Sequence, residues 1–370
     1  MIIDLIKKYK FLFLSTLLLC LICSILFNKV ILGNNVFLGP DSLSPKAIQK
    51  GIEVAEIKFD DYPEWLPWVF GGLPSIHSFQ NISHLYMPYK FFEALMNMGV
   101  PRFFEFFIHY VFLGIGMILL LRKLGVSRLS SLFGSISYMI MPYLVTMIVH
   151  GHGSQLMTTA YLPWAIWSLI KIRQMPNLIN FIIFSIVIGF QLQRSHVQIA
   201  YYTWMMIGLY ICFEIYHVYK NNKKNKSYKF ITYIICGLFT GILLSLSIYL
   251  PALSYTNFST RGSFNGGAGL EYATQWSFSL PEMLTFLIPS YYGFGGATYW
   301  GNMPFTDYPN YMGIIVLILS IIGALKYKQN LKMFLLTSLI FSILISFGKN
   351  FNIIYNFFYS YLPFFNKLFK

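Results

Sequence analysis

Two short stretches hold the residue types best suited to chemistry. The first, FLGPDSLSP, puts Asp41 directly after a Gly-Pro turn that follows the apolar run beginning at Phe11. A carboxylate there can cap a helix starting at Ser44 or Pro45, or act on a substrate held at a membrane surface. The second, HGHGSQL, sets His150 and His152 two residues apart on a short turn. Imidazoles so placed can donate to a phosphate or sugar oxygen, ligate a metal, or shape the turn. No neighbouring Cys or H-x-x-x-H pattern supports the metal, so a divalent ion is an open option.

Three further groups have polar density worth weighing. QLQRSHVQ concentrates Arg194 and His196 with Gln191, Gln193 and Gln198 at the end of an apolar run. Polar side chains at membrane depth are costly unless they line a cavity or satisfy one another, which makes this cluster informative. Arg261, ahead of the glycine-rich GSFNGGAG, is a second cation suited to an anionic headgroup. In DDYPEWLPWVF, Asp60, Asp61 and Glu64 stand beside Trp65 and Trp68, so carboxylates could bind sugar hydroxyls while indoles stack on pyranose faces. Adjacent loop acids also commonly do nothing but solvate the loop. The cysteines Cys20, Cys23, Cys212 and Cys236 all lie in apolar runs, where packing explains them better than redox or metal chemistry.

The elements that must position these residues are membrane helices. Of 370 residues 56% are hydrophobic and 11% charged, and the mean hydropathy is +0.59, too little polar surface to cover a soluble globule. Runs long enough to cross ~30 Å of hydrocarbon recur at Phe11 to Phe27, Leu129 to Val149, Ser154 to Ile170, Val197 to Phe213 and Phe230 to Thr256. Shorter candidates are Phe106 to Leu121, Asn177 to Gln193, Tyr308 to Leu325 and Met333 to Phe347, for about nine spans in all. The +14 formal charge is distributed in clusters that fall on one side of these spans, and most acids fall on the other. The positive-inside rule then puts the N-terminus in the cytoplasm and the acid-rich segments outside. After Phe27 no small-residue cleavage pattern occurs, so the first run reads as an uncleaved anchor in a multi-pass cell-membrane protein.

The expected fold is therefore all-α, a single transmembrane domain over residues 1–370 with long outer segments at 33–102 and 251–309. In the first, PKAIQKGIEVAEIKF predicts a helix lying in the interface with Ile48, Ile52 and Ala55 on one side, and Trp65 and Trp68 at headgroup depth. In the second, LPEMLTFLIP predicts a short re-entrant or surface helix.

The ordered set GPDSLSP, PEWLPWVFGGLPS, GHGSQLMTTAYLPWAIW, LQRSHVQIAYY, EYATQWSFSLPEMLTFLIPSYYG and YWGNMPFTDYPNYMG resembles the YfhO-type bacterial membrane proteins. That family looks like a branch of the GT-C superfamily of multi-spanning glycosyltransferases. The resemblance covers about Gly39 to Lys367. It implies a GT-C-like helix bundle that moves a sugar from a polyprenyl-phosphate donor to an envelope polymer or lipid acceptor, with Asp41 as the catalytic carboxylate. Roles for Arg194, His196, Arg261, His150, His152, Asp61 and Trp65 in holding substrate are assigned by chemistry. Family members usually continue with further spans, so the resemblance also implies a truncated chain, and an inactive scaffold is one alternative. The other is a transporter or flippase of lipid-linked sugars, which would favour ionisable groups at the bilayer midplane.

Overall fold

The computed structural model describes residues 2–367 apart from 34, 40, 42, 81, 221–223, 260–268, 307 and 328–330. Helices dominate. In chain order they are α1 (Ile2–Leu26), α2 (Asn28–Ile31), α3 (Leu43–Phe59), α4 (Tyr89–Asn97), α5 (Phe103–Lys123), α6 (Arg128–Met139), α7 (Pro142–Val149), α8 (Gly153–Ala160), α9 (Leu162–Gln174), α10 (Leu178–Gln193), α11 (Val197–Lys220), α12 (Lys224–Leu244), α13 (Leu246–Tyr255), α14 (Leu270–Ala273), α15 (Gly295–Thr298), α16 (Ile314–Lys326), α17 (Leu331–Ser346) and α18 (Asn352–Tyr361). The one sheet among the described residues is a two-strand hairpin, β1 (Trp65–Leu66) with β2 (Leu73–Pro74), paired antiparallel with Leu66 opposite Leu73.

Three helices are long and apolar enough to cross a membrane on their own: Tyr9–Leu26 within α1, Phe103–Lys123 and Val197–Lys220. Three bent pairs raise the number to six among the described residues. Several of the continuous runs expected from hydropathy are thus broken. The run from Leu129 to Val149 parts before Pro142, which cannot donate a backbone hydrogen bond. That from Ser154 to Ile170 parts at Tyr161, just before Pro163. The run from Phe230 to Thr256 bends by 72° at Ser245, whose hydroxyl donates back to the carbonyls of Gly241 and Ile242.

The chain divides into two compact units. One comprises Met1–Ile140, Met147–Thr203 and Lys224–Tyr255; the other comprises Met141–Thr146, Trp204–Lys223 and Thr256–Lys370. In the first, α1 and the residue after it turn a stripe of Ser15, Leu19, Cys23 and Phe27 inward, each four residues from the last, while Phe13, Leu14, Leu17, Leu21 and Ile25 are exposed. α10 and α12 approach closely because Gly237 and Gly241, one turn apart on α12, leave room for Phe184 and Ile188; a Cβ at either glycine would lie 2.6 Å from those side chains. Small residues at such spacing are how membrane helices bring their backbones together.

In the first outer segment, α3 packs Ile52 and partly buried Ile48 against Leu66, Val69, Tyr62 and Leu73 of the hairpin. The side expected to face the interface is therefore covered by protein. In the second unit, Pro281–Phe286 is a six-residue 3₁₀ helix, shorter than the helix expected there. The corner between α17 and α18, bent by 114°, clamps residues 277–278: Lys349 N–H donates to Ser277 Oγ, and Asn350 Nδ2 donates to the Phe278 carbonyl. The whole of α16 buries none of its side chains, with Ile315, Ile318, Leu319, Ile321 and Ile322 exposed around it. Water does not tolerate an apolar surface of that kind, and lipid does.

Candidate functional site

The residues of the two opening stretches meet. Asp41 Oδ2 lies 2.8 Å from His152 Nε2 across a sequence separation of 111 residues, with the Asp41 side chain 67% exposed and His152 half-buried. Two glycines make this approach possible. Gly39 rests on the turn after α7 so closely that a Cβ would stand 2.5 Å from Val149 O and the His150 carbonyl carbon. Gly151 takes φ +91°, the left-handed conformation that ends α7; its N–H donates to Ile148 O, and His152 N–H donates to Met147 O at 2.7 Å. The chain is thereby turned so that His152 precedes the first residue of α8 and reaches Asp41. His150 belongs to the same turn, its backbone in contact with Gly39.

Arg194 and its neighbours form a different, buried constellation. Arg194 is 6% exposed, with NH1 3.0 Å from Glu105 Oε1 and NH2 2.8 Å from Met157 Sδ. NH1 and Oε1 are close but not aligned for a hydrogen bond, so the attraction is chiefly between charges. The guanidinium also sits 4.4 Å from the centre of the Tyr86 ring. Tyr86 joins Tyr161 Oη and, at 3.3 Å, His109 Nε2, while His109 Nδ1 donates to Glu105 O at 2.7 Å. In the neutral imidazole Nε2 then accepts from Tyr86, which in turn accepts from Tyr161. Burial pushes the Tyr86 phenol above its ordinary value, and the bond to Tyr161 and the Arg194 charge offset this only in part.

The glutamines complete the cluster. Gln193 accepts from Met87 N–H and donates to Leu244 O, tying the first outer segment to α10 and α12. Gln191 donates to Thr203 Oγ1 and Thr158 O in the core. The glutamines and Arg194 of QLQRSHVQ thus bond to side chains and backbone of neighbouring segments, with Gln191 Oε1 and Arg194 Nε left over among the described residues. His196 stands just before α11 and accepts from Ile199 N–H at 3.4 Å, a capping position that follows Ser195 in the left-handed region at φ +64°. Glu105, His109, Tyr86 and Tyr161 were not singled out from the sequence. The available signal was FEFFIH, where Glu105 and His109 lie one turn apart inside an apolar helix.

Asp61 and Trp65 belong to the α3–hairpin assembly. Asp61 Oδ1 accepts from Tyr62 N–H, and the Trp65 ring packs on Gly72. Arg261 lies outside the described residues. In the second unit, buried Glu282 accepts from Ser279 N–H, Ser279 Oγ, Tyr299 Oη and Asn302 N–H, which pins the 3₁₀ helix to residues 299–302. Burial and that bond push the Tyr299 phenol up to about 12. No group of three or more His, Cys, Asp or Glu among the described residues is placed to hold a metal ion.

Comparisons with protein-family models, curated proteins and solved structures return no match. Helical architecture, several long apolar helices and extensive exposed apolar surface define an all-α membrane protein.

Proposed function

We propose that the chain is a membrane glycosyltransferase of the GT-C kind, akin to the YfhO-type proteins, which transfers a sugar from a polyprenyl-phosphate donor to a cell-envelope acceptor on the extracytoplasmic face. The observation that carries the reading is the 2.8 Å contact between Asp41 and His152. An accessible carboxylate is held there by an imidazole at the ends of two membrane-associated segments, where a lipid-linked headgroup would lie.

In this mechanism Asp41 takes the proton of the acceptor hydroxyl as its oxygen attacks the anomeric carbon. The bond from that carbon to the phosphate oxygen breaks, the phosphate leaves with the electron pair, and the anomeric centre inverts. Phosphate needs little protonation to leave but does need donors for its charge. Arg194 is largely neutralised by Glu105, so its contribution is to orient the Tyr86 end of the outer segment. His152 gives its Nε2–H to Asp41 and orients it, His150 is the polar donor nearby, and the headgroup role is assigned to Arg261 by its charge.

The placement of the ionisable cluster favours transfer over transport. Glu105 lies in the first turn of α5 and Arg194 directly follows α10, so both sit at helix ends. Transporters concentrate such groups near the midplane. The test is Asp41→Asn in purified protein reconstituted with polyprenyl-phosphate-linked sugars and an envelope acceptor fraction. Product formation should disappear while membrane insertion and melting are unchanged. Undiminished transfer by Asp41→Asn removes Asp41 as the base, and movement of lipid-linked sugar across vesicles without product reverses the assignment to transport.

A further inference from the structure

The side of α3 that faces away from the hairpin has its own pattern. Positions 43, 46, 47, 50, 54 and 57 each lie three or four residues from another of the set and so form one stripe along the helix. They are Leu43, Lys46, Ala47, Lys50, Val54 and Ile57, and all are exposed. Ile57 is 84% exposed. Glu53 borders the stripe, its side chain 42% exposed and its carboxylate 3.2 Å from Lys50 Nζ, while Glu56 lies on the half-buried flank. Large aliphatic residues interleaved with lysines, with one bordering acid already paired to Lys50, suit an anionic lipid surface.

The N-terminal half of α3 is also fixed beside a membrane helix. Lys46 Nζ donates to Phe37 O at 2.9 Å, and the Phe37 ring lies 6.0 Å from that of Phe27, the residue that follows α1. The stripe therefore starts close to where the first candidate span ends, which is where lipid headgroups lie.

We propose that this stripe is a lipid-contact face. α3 lies on the outer bilayer surface with Leu43, Val54 and Ile57 at the boundary of headgroups and acyl chains. Lys46 and Lys50 run their stems along that boundary, and the ammonium donors not given to Phe37 O and Glu53 Oε2 meet lipid phosphates. The hairpin rides on the opposite side of α3, away from the lipid, as a cap. This arrangement holds whether or not the chain is a transferase, because it depends only on α3 and its tether to α1.

The test uses the full chain in nanodiscs of phosphatidylcholine with or without phosphatidylglycerol. Cys20, Cys23, Cys212 and Cys236 are replaced, and an NBD fluorophore is attached to a single cysteine at position 57 or, separately, at 70 on the hairpin tip. Headgroup-proximal doxyl lipids should quench the probe at 57 at least about twofold, as burial ~5–10 Å into the boundary requires, and leave that at 70 little affected. Quenching at 57 should strengthen with phosphatidylglycerol and weaken in the Lys50→Glu variant, which leaves the Lys46 tether in place. In the unsubstituted protein, amide exchange across 43–59 should slow when phosphatidylglycerol is present. A solvent-like probe at 57 overturns the proposal, as does quenching at 70 in its place, which would turn the hairpin to the lipid. Identical quenching and exchange in both lipids overturns the assignment to anionic headgroups. Absence of doxyl quenching at both positions, as on a face covered by another protein, also overturns the proposal.

Discussion

Replacing Gly39 with alanine tests the geometry of the candidate site with the smallest possible change. The added Cβ would stand 2.5 Å from Val149 O and the His150 carbonyl carbon, whereas ordinary contact begins at 3.4 Å. Both obstructing atoms are backbone, so neither can rotate away. Relief needs a shift of about 0.9 Å, from 3.4 − 2.5, between the Gly39 segment and the turn. Added to the 2.8 Å between Asp41 and His152, that takes the pair to about 3.7 Å, past a hydrogen bond. Overpacking of this kind costs ~1–3 kcal/mol, which membrane helices elsewhere in the unit should absorb without unfolding. A misplacement near 1 Å costs transfer on the order of 10²-fold. The assay is product formation from a polyprenyl-phosphate sugar, paired with residue-resolved diethylpyrocarbonate labelling of His152, which should rise as Asp41 withdraws. Gly208→Ala is the control, since a Cβ there meets nothing within 4 Å. Unchanged transfer and unchanged His152 labelling in Gly39→Ala would refute the reasoning.

Other expectations follow from the same contacts. His152→Gln, which keeps a donor for Asp41, should retain most activity, and His152→Ala should lose about tenfold, the value of a hydrogen bond near 1.4 kcal/mol; equal rates would exclude an orienting role. Arg194→Met or Glu105→Gln alone should lower stability by ~3–5 kcal/mol by leaving a buried charge unpaired, while the double variant should recover most of the loss; additive melting shifts would show that the pair is not coupled. Tyr299 is held neutral by burial and by Glu282, so its folded value of about 12 exceeds the ordinary one near 10. Its contribution is complete below pH 10 and fades as pH rises toward 12, and the late tyrosinate absorbance should fall by one tyrosine's share in Tyr299→Phe.

The buried pair of Arg194 and Glu105 changes how the polar cluster of QLQRSHVQ is understood. An arginine that faced an open cavity would offer its charge to substrate, whereas one neutralised by a carboxylate and stacked on Tyr86 chiefly fixes geometry. Among the described residues its Nε and NH1 meet no hydrogen-bond partner, and neither do Thr158 Oγ1 and Gln191 Oε1. Buried polar atoms in that condition are usually met by water.

Composition alone determined that the chain belongs in a membrane, because 56% hydrophobic and 11% charged residues leave no way to clothe a soluble particle. Hydropathy also located the apolar middle of the long helices, since a run of apolar side chains is a local property, but missed the ends of α1, α11, α12 and α16 by six residues or more. It could not say where runs break, because the bends at Ser245 and before Pro142 depend on single hydrogen bonds and single rings. The periodicity of α3 showed that Ile48, Ile52 and Ala55 share a side, but only folding decided that the hairpin, and not lipid, would cover it. Asp41 and His152 were each visible as chemically able groups. Their pairing was not, for it depends on glycines at 39 and 151 letting two distant backbones approach, and distance in space is not written in spacing along the chain.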